Sequence, residues 1–118
     1  MRLFLLLLFL LPCFVFSQED TKQKSQFIAL YTIGEHWDSE KQPHEQEYFK
    51  EHSGFLSKLR KEKKIVMGAR YADTGMIIIL ADNLEAAKSM LFEDIALQQK
   101  LFNVEIHHFN AFYKGCLE

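Results

Sequence analysis

Among the side chains able to move protons, His52 stands apart because it falls inside an apolar stripe. Tyr48, Phe49, Phe55, Leu56 and Leu59 recur with it at helical spacing, while Lys50, Glu51, Ser57, Lys58, Lys61 and Glu62 occupy the opposite face. A partly buried histidine is suited to acid–base work, because burial and any neighbouring carboxylate decide its protonation between them. A core-edge histidine with a satisfied hydrogen bond fits the same pattern. Asp94, directly after Phe92-Glu93 and before an apolar turn, is the second candidate. Helix-end or N-capping use is its common explanation; the spacing does not bring it to His52, although helices on one side of a sheet make such a contact geometrically possible.

The other titratable clusters point away from chemistry. His36, His44 and His52 are spaced by eight residues, a separation that turns a helical side chain by about 80° and matches no metal-ligand spacing. His107 and His108 are adjacent on a strand and must face opposite ways, one toward the helices and one toward the open side. No metal site is expected. Lys58 to Lys64 reads as a solvated helix end interrupted by Glu62, not as a nucleic-acid patch. There is no glycine-rich phosphate loop, no Cys–His dyad and no serine-nucleophile motif, so no cofactor is expected either.

The elements that must position these residues are legible in outline. Residues 1–17, MRLFLLLLFLLPCFVFS, carry one positive charge and then a long apolar run, the pattern of a secretory signal peptide too short for a membrane span. Residues 18–25 read as a flexible leader. From Phe27 to Ile33 an apolar, partly β-branched run stopped by Gly34 predicts a first strand. Gly34 to Gln42 is a polar loop around Trp37. Pro43 opens a helix expected to run to Lys64. Ile65 to Tyr71 and Met76 to Ala81 predict a hairpin with Ala72 to Gly75 as its turn, Asp82 or Asn83 caps a second helix through Leu91, and Asp94 to Leu101 allows a further helical turn. Val104 to Tyr113 predicts the last strand.

That order, βαββαβ, predicts an α+β, ferredoxin-like fold: a four-stranded antiparallel sheet with its helices on one face. The run Ile77 to Leu80 is apolar on both sides, so a lone copy would expose Ile or Leu on the helix-free face, and a second copy covering it makes a homodimer the expectation. The chain has a net charge of −2, which fits neither a nucleic-acid binder nor a disordered segment. Loss of the signal peptide would remove Cys13 and leave Cys116 as the sole thiol. An exported domain of about 100 residues with no internal disulfide must then rest on its core and, by expectation, a partner subunit.

From Phe27 to about Gly115 the chain resembles the YCII-related (YciI-like) family. The pieces that carry the resemblance are Tyr31-Thr32-Ile33-Gly34-Glu35-His36-Trp37-Asp38, Gln46, Glu51-His52-Ser53-Gly54-Phe55-Leu56-Ser57-Lys58-Leu59, Ile65 to Arg70, Gly75 to Leu80, Leu84-Glu85-Ala86-Ala87-Lys88 and Asp94, in order and at the family's spacing. It departs from the family at Ile95, where proline is usual, at Lys63, where glycine is frequent, and at Ala69-Arg70, which replaces a Gly-Pro-like turn. The resemblance implies a dimeric α/β barrel over residues 26–115 and a His–Asp active site at His52 and Asp94. The expected function is that of a secreted or periplasmic lyase, isomerase or hydrolase acting on a small molecule. Trp37 and Tyr48 would line its pocket and Arg70 would meet an anionic substrate. After signal cleavage no stable membrane insertion is expected. The alternative is a non-catalytic ligand-binding or interaction module of the same fold.

Overall fold

The computed structural model describes residues 23–115, so the expected signal peptide and most of the leader lie outside the described residues. Strand β1 (Ser25–Ile33) opens the chain and starts within the segment read as leader. It is followed by a short 3₁₀ turn (Pro43–Glu45), helix α1 (Phe49–Lys61), strands β2 (Ile65–Tyr71) and β3 (Thr74–Ala81), helices α2 (Leu84–Leu91) and α3 (Ile95–Gln98), and strand β4 (Phe102–His108). The four strands form one antiparallel sheet in the order β2-β3-β1-β4. The fold is α+β, and its strand order is compatible with the ferredoxin-like arrangement.

Alternation along the central strands creates the core. Phe27, Ala29 and Tyr31 of β1 face the helices together with Ile77, Ile79 and Ala81 of β3 and Ile106 of β4. Leu59 of α1, Ala87 and Leu91 of α2, and Leu97 of α3 close over them. On the other face Ile28, Leu30, Met67, Met76, Ile78 and Leu80 make an apolar stripe that no helix of the described chain covers. His107 points to that open face beside Glu105, whereas His108 stacks near Phe27 on the helix side, the split expected for neighbours on a strand.

Three boundaries differ from expectation. Helix α1 does not run continuously from Pro43: the Pro43 turn ends at Gln46, whose backbone is extended, and α1 starts afresh at Phe49 after Tyr48 in a left-handed backbone (φ 68). The hairpin between β2 and β3 is tighter than predicted, with Ala72 and Asp73 alone between the strands and Ala72 at φ 47. Strand β4 starts at Phe102 and its ladder with β1 ends at His108 opposite Phe27, with Phe109 N–H still donating to Gln26; Phe112 and Tyr113, placed in the strand by their apolar character, are almost fully exposed.

Both α1 and α3 end in the same motif. Lys64 N–H donates to Leu59 and Lys63 N–H to Arg60, and correspondingly Leu101 N–H donates to Ala96 and Lys100 N–H to Leu97. Such a Schellman end puts one residue in the left-handed region, here Lys63 (φ 59) and Lys100 (φ 58), where glycine carries no Cβ penalty. The carbonyls freed after α3 are then met by the loop leaving β1: Gly34 N–H donates to Leu101 at 2.8 Å and His36 N–H to Lys100 at 3.0 Å. A Cβ on Gly34 would collide with the Lys100 carbonyl.

Two substitutions separate these effects in urea denaturation. Lys63→Gly is expected to stabilise the fold by about 0.5–1 kcal/mol by relieving the left-handed residue. Gly34→Ala is expected to destabilise it by about 2–3 kcal/mol, since two backbones must part to admit one methyl group.

Candidate active site

Asp94 reaches its place through the corner between α2 and α3. Its backbone N–H closes the end of α2 on Leu91, and its own carbonyl accepts from Leu97 and Gln98, the start of α3. The carboxylate caps α3: Oδ1 accepts the Ala96 N–H at 3.0 Å. Ile95, at the position where a proline would suit the first helical turn, is therefore held by the aspartate before it. The second oxygen, Oδ2, lies 2.5 Å from Nδ1 of His52, and Asp94 is 1% exposed.

A carboxylate so deeply removed from water is tolerated only when donors face it, and these two donors are what the fold supplies. With the carboxylate ionised, the proton between the pair sits on Nδ1 of the imidazole, which leaves Nε2 as the nitrogen carrying the free lone pair. No partner for Nε2 exists among the described residues. The pairing of a histidine on the first helix with an aspartate 42 positions later is thus present.

His52 is sandwiched by aromatic rings. Phe102 lies 4.7 Å from it between centroids and Tyr31 stands edge-on at 5.5 Å, with Trp37 a further 5.7 Å beyond Phe102. The imidazole opens into a cleft of about 850 Å³ between α1 and the sheet, walled by Trp37, Phe49, Leu56 and Phe102 and reached by Arg70 and Asp73 from the β2–β3 hairpin. Arg70 shares the helix-side face of β2 with Gly68, in register with Gly75, and has no ion-pair partner among the described residues. Trp37 is held by the loop that Gln46 organises. The amide of Gln46, 6% exposed, accepts from Asp38 N–H at 3.0 Å and donates to the carbonyls of Asp38 (2.6 Å) and Lys41 (3.2 Å).

Of the residues expected to form the site, His52, Asp94, Trp37 and Arg70 converge and Tyr48 does not. Its left-handed backbone turns Tyr48 out of the α1 stripe into a separate small depression with His36, Glu47, Gln99 and Leu101. Phe49, the next residue, takes the place in the cleft instead. Tyr31 and Phe102 belong to the site as well; alternation from Phe27 and Ala29 places Tyr31 on the helix side of the first strand, while Phe102 fell between the expected helical turn ending at Leu101 and the strand expected from Val104. Burial first, and the Asp94 charge second, push the Tyr31 phenol above its ordinary pKa. Among the described residues no three His, Cys, Asp or Glu side chains gather as a metal ion would require. Compared with known proteins, the chain matches no family model, no curated protein and no solved structure.

The double duty of Asp94 has a measurable consequence. Asp94→Ala removes the α3 cap and strands the imidazole, and a loss of about 3 kcal/mol is expected in chemical denaturation. Asp94→Asn, which retains an oxygen able to cap, should lose less than half of that. Equal losses would mean that the cap contributes nothing.

Proposed function

We propose that the chain is a YciI-like enzyme that performs acid–base chemistry on a small molecule, of lyase, isomerase or hydrolase type, with His52 as the general acid/base and Asp94 as its orienting carboxylate. The observation that carries the reading is the 2.5 Å contact from His52 Nδ1 to Asp94 Oδ2 at the wall of an aromatic cleft. A histidine whose Nδ1–H is fixed by a buried carboxylate presents the Nε2 lone pair in one direction, and the same carboxylate favours the imidazolium formed once a proton is taken. Both are needed of a group that first removes a proton and later returns it.

The cleft supports a substrate with a flat or apolar body and a negative group. Trp37, Phe49 and Phe102 offer ring faces, and Arg70 offers a guanidinium suited to a carboxylate or phosphate oxygen. In this reading the active form is an exported homodimer, a dimeric α/β barrel. The apolar stripe supports the dimer: Ile78 is 2% exposed, but Ile28, Leu30, Met76 and Leu80 are half-buried and Met67 is exposed, and a face of that kind is costly to leave in water. The leader-like residues 1–17 support export.

Turnover of a panel of small esters, lactones and enolisable ketones, followed by NMR, tests the catalytic reading. Any activity found is expected to fall by about 10²-fold or more in His52→Ala and in Asp94→Asn. Compounds that bind in the cleft without turnover, with both variants binding them as the parent does, would favour a ligand-binding module. For the assembly, Leu30→Lys is expected to convert a dimer into a folded monomer in sedimentation or light scattering. A parent protein that is itself monomeric would remove the dimer from the proposal.

A further inference from the structure

Tyr31 is a buried polar group in the cleft wall that the His52–Asp94 pair leaves unused. Its side chain is 6% exposed and its ring forms part of the cleft wall, edge-on to His52. Its hydroxyl is closed to solvent and has no hydrogen-bond partner among the described residues. An unpaired hydroxyl in a packed interior costs stability that phenylalanine, with the same ring, would not cost, so its presence calls for a use. The phenol keeps its proton, since burial and the nearby Asp94 charge both raise its pKa. It is therefore a donor and not a base.

Building on the acid–base reading of the cleft, we propose that the Tyr31 hydroxyl is a substrate-binding donor that gives its O–H to an oxygen of the ligand beside His52, which places the substrate among planar carbonyl compounds and their enols. The flat walls of Trp37, Phe49 and Phe102 suit a planar body, and a phenol whose ring stands edge-on to the base suits a carbonyl next to an acidic carbon. The step balances without a co-reactant. Nε2 of His52 accepts the proton of the carbon next to the carbonyl, the C–H pair becomes a C=C bond, and the carbonyl π pair settles on oxygen. Tyr31 meets that enolate oxygen with its O–H and retains the proton. The imidazolium then returns its proton to the same carbon or, in a conjugated compound, to a carbon two positions along. No hydrogen bond holds the phenol among the described residues, so meeting an incoming oxygen breaks none, but it requires the ring to turn out of the core in which it is packed.

Titration of the full chain with 4-nitrophenol, whose oxygen mimics an enolate, and with nitrobenzene, which lacks that oxygen, tests the assignment. The His52 ring signals in NMR report the cleft, and the melting temperature reports the fold. The parent protein is expected to bind 4-nitrophenol about ten-fold or more tightly than nitrobenzene. Tyr31→Phe is expected to melt at the same or a higher temperature and to lose that preference. A preference undiminished in Tyr31→Phe, with His52 signals still moving, overturns the role of Tyr31 and leaves the acid–base reading standing. A Tyr31→Phe chain that melts lower or fails to fold makes the hydroxyl structural and overturns it too. If neither compound moves the His52 signals of the parent protein, both readings fall.

Discussion

A buried carboxylate organises this protein. Asp94 is almost fully removed from water, and a charge in that position is stable only while donors face it. One donor is the backbone of α3, which ties the carboxylate to the corner where α2 ends. The other is the imidazole of α1, which ties that corner to the opposite helix. The first helix, the third helix and the sheet beneath them therefore meet at a single polar contact set in an aromatic surround, and the orientation of His52 follows from the need to satisfy Asp94.

The surroundings of that contact are fixed by backbone more than by side chains. The loop that carries Trp37 docks onto the carbonyls at the end of α3 through Gly34 and His36, and Gln46 holds the far side of the same loop by three hydrogen bonds. Lysines stand in the left-handed position that closes α1 and α3, at a small cost in each case. Phe102 is the first residue of β4 and packs tilted against His52, so the same seam that positions the Trp37 loop also sets the ring beside the imidazole.

Much of this was legible in the residues, and the rest was not for identifiable reasons. The β-branched runs and their turns define β1, β2 and β3, and the Asn83 cap marks α2, where its side chain accepts from Ala86. Alternation alone anticipated an apolar helix-free face. The helical stripe identified His52, but the start of α1 was obscured because Tyr48 takes a left-handed backbone, a conformation its residue type does not announce. That misplacement carried Tyr48 into the expected pocket. The end of β4 was overrun because apolar Phe112 and Tyr113 look like strand, whereas pairing with β1 ends at His108 and leaves both side chains in solvent. The approach of Asp94 to His52 is tertiary: sequence patterning offered the possibility, and only the packing of α1 against the α2–α3 corner makes it a contact. The unpartnered hydroxyl of Tyr31 could not be read at all, since pairing is a property of neighbours.

If the ionised Asp94 holds the proton on Nδ1, the imidazole of His52 is fixed in one tautomer, with Nε2 left free for chemistry. Nitrogen-15 NMR of the His52 ring at a pH where the imidazole is neutral measures this directly. The expected spectrum has Nδ1 protonated and Nε2 bare, and the Nδ1–H form ceases to dominate in Asp94→Asn. A neutral ring protonated at Nε2, or a pattern indifferent to Asp94→Asn, would contradict the account.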